Sequence, residues 1–95
     1  FGAGYLGEKL VHKLNLSSDT AYFVDNNNKK WDNKIANISI FSPEVMLKEK
    51  GDYKIVIALI IYYDEIKNWL IENGYKENID FFDGRKINGM EINWW

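Results

Sequence analysis

Apolar and polar residues follow two different periods along this chain, and the changes from one to the other mark its predicted elements. Leu6, Leu10, Val11 and Leu14 recur at helical spacing with His12 opposite their centre, which predicts a first helix over residues 5–15. The polar set "NLSSD" closes it, and "TAYFVD" follows as a β-branched and aromatic run that reads as a buried strand ending at Asp25. Beyond the polar loop "NNNKKWDNK", Ile35, Ile38 and Ile40 in "IANISIF" alternate imperfectly and predict an edge strand. In "SPEVMLKEK", Ser42 suits an N-cap, Pro43 the first helical position and Glu44 the positive helix end, so a short second helix should end near Gly51. "YKIVIALII" is almost unbroken in its apolar character, as a strand covered on both faces of a parallel sheet would be. "YYDEIKNWLIENG" sets Tyr63, Ile66, Trp69 and Leu70 on one helical face, with Asp64 and Glu65 in the first turn and Gly74 as the stop. "IDFF" reads as a last strand, and Asp83-Gly84 and Asn88-Gly89 are turn signals in a tail. Strands alternating with helices predict an α/β fold: a three-layer, Rossmann-like open parallel sheet of order 3-2-1-4-5 whose first strand is truncated at Phe1.

Composition narrows what such a fold can do. Ninety-five residues without repeat or linker make one domain, with a core over 1–83 and a tail over 84–95. Twelve basic against fourteen acidic residues give a net charge of -2, with no Lys/Arg run longer than two, which argues against binding nucleic acid or an anionic lipid surface. The absence of cysteine excludes disulfides, thiolate zinc sites and a cysteine nucleophile, and fits the cytoplasm. The longest apolar run, residues 55–61, is far below the roughly 20 residues that span a bilayer, so no membrane span is expected.

The candidate chemistry lies at the first turn. Gly2, Gly4 and Gly7 have G-x-G-x-x-G spacing. Gly2 would make a tight turn, Gly4 would let phosphates approach the backbone at the positive end of the helix, and Gly7 would let that helix press against a strand. Asp25 lies eighteen residues beyond Gly7 (25 − 7), at the tip of the next predicted strand, where a carboxylate can accept hydrogen bonds from a ribose or sugar hydroxyl. Asp64, at the start of the helix after the fourth strand, borders the same crevice. Only Phe1 stands for the strand that should lead into the glycine turn, so the chain reads as a fragment of a longer protein. The plain alternative is a glycine loop capping a helix, with Asp25 opening a turn.

The stretches "FGAGYLGEKL", "AYFVDNNNKKW", "IFSPE" and "KIVIALIIYYDEIKNWLIENGYKENIDFF" resemble the small Rossmann-like module of bacterial surface-polysaccharide enzymes. The likeness is to the module attached to FkbM-type methyltransferases and to some glycosyltransferases. More distantly it is to the N-terminal domain of sugar-nucleotide acetyltransferases of the left-handed β-helix class. The resemblance implies a sugar-nucleotide ligand with Gly2, Ala3, Gly4 and Tyr5 at its phosphates and Asp25 with Asn26 at its ribose or base. Ala3-Gly4-Tyr5 stands where the acetyltransferases often carry Gly-Gly-His, so no histidine base is implied here.

No catalytic set or metal site emerges beside it. Tyr63 and Lys67 form Y-x-x-x-K, the proton-delivering pair of short-chain dehydrogenases, but six Tyr in 95 residues make one such spacing an expected accident. His12 is the only histidine, so it has no second imidazole or thiolate to join it at a metal. Trp94 and Trp95 would pack on the domain, on a second copy in a homodimer, or on a following domain. The expected function is a binding module for a nucleotide-containing ligand in a methyltransferase or glycosyltransferase, with catalysis in a separate domain. Two alternatives stay open: an NAD(P)-binding domain of an oxidoreductase, and a ligand-free assembly module.

Overall fold

The computed structural model describes residues 1–89 except Leu14, Leu16 and Ser17. Expectations for Leu14, Trp94 and Trp95 therefore fall outside the described residues. Leu6, Leu10 and Val11 wind into α1 (Tyr5–Lys13), and their apolar side is buried as its spacing requires. The strand after it is short, β1 (Phe23–Val24), and a 3-10 turn (Asn28–Lys30) follows. Next come β2 (Lys34–Ile35), β3 (Ile38–Phe41) and α2 (Glu44–Leu47). The second half holds β4 (Ile55–Ile57), α3 (Tyr63–Glu72), β5 (Phe81–Asp83) and a closing 3-10 turn (Gly84–Gly89).

The expected open parallel sheet of order 3-2-1-4-5 is not formed. The strands make a mixed three-stranded sheet, β1-β3-β2, and a separate parallel pair, β4-β5. One cause is local: "IANISIF" is a hairpin rather than one edge strand. Ala36 and Asn37 both take positive φ, 49° and 67°, and turn β2 back antiparallel on β3 with Ile35 opposite Ile38. Two-residue loops with positive φ at both positions match the right-handed twist of the flanking strands. Residues 1 and 2 lie between the two sheets. Gly2 N donates to Val24 O at 2.8 Å, the Phe1 amine to Val56 O at 2.6 Å, and Ala58 N to Phe1 O at 2.7 Å. Residues 1 and 2 thus touch both sheets, through too few bonds to form a strand of their own.

Ala36 is exposed and has a Cβ where the left-handed conformation disfavours one. Ala36→Gly is accordingly expected to stabilise the chain by about 1 kcal/mol. A thermal melt unchanged or lowered by the substitution would contradict the hairpin geometry.

Helices cover opposite faces of the strands. On one side Ile57, Val24 and Phe81 pack with Met46 of α2 and with Ile66 and Leu70 of α3; Phe81, Ile57 and Leu70 are fully buried. On the other side Val11 meets Phe23, Ile38 and Ile40, while Leu6 and Leu10 meet Ala58. The apolar run after β4 outlasts the strand: Ile61 is 84% exposed and Tyr62 61%, in the turn that leads into α3.

Candidate functional site

Close backbone contact dictates the glycines at the N-terminal turn. Gly2 has φ +112°, and a Cβ there would lie 2.6 Å from the Ala58 carbonyl oxygen. A Cβ on Gly7 would collide with the Gly2 carbonyl oxygen and stand 3.1 Å from the Phe23 ring. The first turn of α1 therefore rests directly on the backbone leading into it.

Asp25 follows β1 and turns its carboxylate toward this corner. Oδ2 accepts the Ala3 N–H at 2.9 Å, and Oδ1 accepts the Asn27 N–H at 2.8 Å. Lys30 closes the arrangement: its ammonium donates to the Ala3 carbonyl at 3.2 Å and lies 3.7 Å from Asp25 Oδ2. The 3-10 turn that carries Lys30 is held at both ends. Asn27 Oδ1 accepts from Lys29 N at 3.1 Å, and the Trp31 indole N–H donates to the Asp25 carbonyl at 2.7 Å. Trp31 is thus a fastener of the site loop.

A cleft of about 300 Å³ opens where these elements meet the end of β4, lined by Gly2, Asp25, Asn26, Leu59, Tyr62 and Glu65 among others. Of the residues expected at the site, Gly2, Asp25 and Asn26 line it. Ala3 is buried behind it and contributes the backbone N–H bonded to Asp25. Gly4 heads α1 beside Lys30, whose ammonium would lie 3.6 Å from a Cβ at that position. Tyr5 stands outside the lining, 65% exposed, with its hydroxyl accepting from Lys9 Nζ at 2.6 Å. Asp64 is exposed and outside it too; its neighbour Glu65 lines the cleft instead. Lys30, Leu59, Tyr62 and Glu65 escaped sequence reasoning. A signal for Lys30 existed in the cap-competent Asn27 three residues before it, but nothing in spacing ties that loop to the glycine turn.

The other motif residues serve structure. Lys67 pairs with Glu77 Oε2 at 2.9 Å. Tyr63 is buried, with the Arg85 guanidinium 4.1 Å from its ring centre, and burial pushes its hydroxyl pKa up, helped by the charges of Asp83 and Glu77. A proton-delivering tyrosine would need the opposite shift. Arg85 grips Asp83 through Nε and an Nη at 2.9 and 2.8 Å. Burial alone would raise the Asp83 carboxyl, but these bonds outweigh it and hold it below the usual carboxylate range. His12 is exposed beside Glu8. Among the described residues no His, Cys, Asp and Glu side chains gather as a metal would require, and no helix is long and apolar enough to cross a membrane.

The family model described as C2185-like, N-terminal, matches residues 1–79, which include the glycine turn, Asp25, the Lys30 loop and the whole of α3. No curated protein and no solved structure matches the chain. With most of its length matched, the chain belongs to the C2185-like N-terminal family.

Proposed function

We propose that the chain binds a nucleotide-containing ligand of the sugar-nucleotide class in the cleft between the glycine turn and the end of β4, as a recognition module of a transferase. The observation that carries the reading is the meeting of Asp25 with the glycine turn at the mouth of that cleft. Each carboxylate oxygen has lone pairs beyond the one given to a backbone N–H, and these can accept from a ribose or sugar hydroxyl. The Lys30 ammonium and the positive end of α1 favour an adjacent phosphate, and the exposed Tyr62 ring with Leu59 offers an apolar bed for a base. The cleft, about 300 Å³, is at the small end of ligand sites, which run from about 300 to 1,000 Å³. It suits one nucleoside-sized part of a ligand whose remainder projects toward a second domain. The sequence resemblance supplies the assignment to a methyltransferase or glycosyltransferase of glycan biosynthesis, and the cysteine-free composition supports a cytoplasmic setting.

Calorimetric titration with UDP-sugars, NADH and S-adenosylmethionine tests the reading. Binding of a UDP-sugar is expected, and Lys30→Ala should weaken it by about tenfold through loss of a charge-assisted phosphate contact. Asp25→Ala should abolish it, but also removes two backbone hydrogen bonds to a charged acceptor, so Lys30→Ala is the cleaner variant. Binding of NADH alone would replace this reading with the oxidoreductase one, and silence from all three ligands would overturn it.

A further inference from the structure

A larger cavity, about 420 Å³, lies among the residues that lead into and form β1 and β4, 19–24 and 49–56. It shares only Phe1 with the lining of the candidate cleft. Its buried lining is apolar, with Leu10 and Val11 of α1, Val24, Met46 and Tyr75. The volume falls within the range of about 300 to 1,000 Å³ in which proteins hold small molecules.

Charge gathers at the mouth, in Asp19, Glu49, Lys50, Asp52 and Lys54, which are exposed or half-buried. The two signs are not equally available there. The Lys50 ammonium donates to the Asn73 carbonyl at 2.5 Å, and that of Lys54 to the Ile79 carbonyl at 2.9 Å. Neither Asn73 nor Ile79 lines the cavity, so both ammonium groups are held to its outside. The carboxylates have no cation of their own: among the described residues no ion pair includes Asp19, Glu49 or Asp52. Glu49 is held in place, its Oε2 accepting the Tyr22 hydroxyl at 3.2 Å. Burial, with the Glu49 charge, pushes the pKa of that hydroxyl up to about 12, so it stays a donor. The Tyr22 ring meets Tyr53 edge-on at 5.9 Å, and both residues line the cavity. Carboxylates beside aromatic rings attract an organic cation twice over, through their charge and through the negative ring faces.

We propose that this cavity is a second ligand site, one that takes an organic amine with an apolar or aromatic body inside and its ammonium at the mouth, against Glu49 and Asp52 and beside the Tyr22 ring. The apolar interior accepts the body of such a molecule whatever its charge. The mouth makes the choice. An anion would meet three carboxylates and two lysines already committed to backbone oxygens. A neutral molecule of the same shape would gain the interior but not the charge-assisted contacts at the mouth.

The test titrates the full chain with phenethylamine, phenethyl alcohol and hydrocinnamate, which share a phenyl ring on a short tether and end in a positive, a neutral and a negative group. Binding is followed by amide NMR shifts. Phenethylamine is expected to bind about tenfold more tightly than the alcohol, and hydrocinnamate the most weakly. The shifts should centre on Val24, Val56 and Tyr75. Glu49→Gln keeps an oxygen for the Tyr22 hydroxyl and removes the charge. It should weaken phenethylamine about tenfold and leave the alcohol unchanged, a contrast that general loss of structure would not produce. Failure of phenethylamine to bind, equal affinity for the three probes, or shifts centred on Asn26 and Tyr62 instead would overturn the proposal.

Discussion

Gly7→Ala is expected to destabilise the chain by about 3 kcal/mol or more, because the added methyl meets backbone rather than a side chain that can swing aside. The methyl would be driven into the Gly2 carbonyl oxygen and against the Phe23 ring. Relief requires α1 to lift away from the turn, which uncovers Leu6, Leu10 and Val11, all buried in its present seat. A domain of this size has roughly 5 to 15 kcal/mol in total, so the variant should be marginal at room temperature. Gly51→Ala provides the comparison: Gly51 also has positive φ, +94°, but nothing lies within 4 Å of its missing Cβ. That change should cost only about 1 kcal/mol of backbone strain. Urea unfolding of the two variants would settle the contrast. Equal midpoints would mean that α1 does not press on the glycine turn.

The second large effect concerns pH. In a chain whose first residue is Phe1 with a free amine, burial takes that amine from its ordinary 8.0 to about 5. Between those values the unfolded chain carries a proton that the folded chain does not, so stability rises with pH. The full stability is present above about pH 8 and is progressively lost as pH falls toward about 5, where the folded amine is forced to protonate as well. Three units at about 1.4 kcal/mol each amount to about 4 kcal/mol. Urea midpoints measured from pH 5 to pH 8 should therefore climb for the free chain and stay nearly level once it is acetylated. Parallel curves for the two forms would rule out a buried amine. Asp83 acts in another window. Its carboxyl is held low by Arg85, so its stabilising share is present above the usual carboxylate range and is lost as pH falls through that range and below.

Single elements were legible where side-chain period and burial agree, but the sheet expected from them was not formed. Tyr63, Ile66 and Leu70 do form one buried face of α3, and the helix gives way near Gly74, whose φ of +88° suits a stop. Asp25 was identifiable from its place at the tip of the strand after α1, and its carboxylate does reach the glycine turn. The hairpin was hidden by Ala36, a residue that gives no sign of positive φ. The length of β4 was hidden by the apolar run itself. Residues 55–61 look alike in hydropathy, yet the strand stops at Ile57 and Ile61 faces outward. A single parallel sheet was expected, whereas a mixed three-stranded sheet and a separate parallel pair stand. At the candidate site the glycines and Asp25 announce themselves by spacing. Lys30 and Trp31 arrive through a 3-10 turn whose path depends on one indole hydrogen bond. Glu65 rather than Asp64 lines the cleft because neighbouring residues on a helix diverge by about 100°.

The bonds that Phe1 makes to Val56 and Ala58 join residues 55 or more positions apart in sequence. On a ribosome, Phe1 must wait for these two partners until residue 58 has cleared the exit tunnel. The β2–β3 hairpin, whose partners are close neighbours, can close long before then. The seating of the glycine turn against β4 is therefore completed late in biogenesis, and a nascent chain cut before β4 would emerge with that turn held to β1 alone.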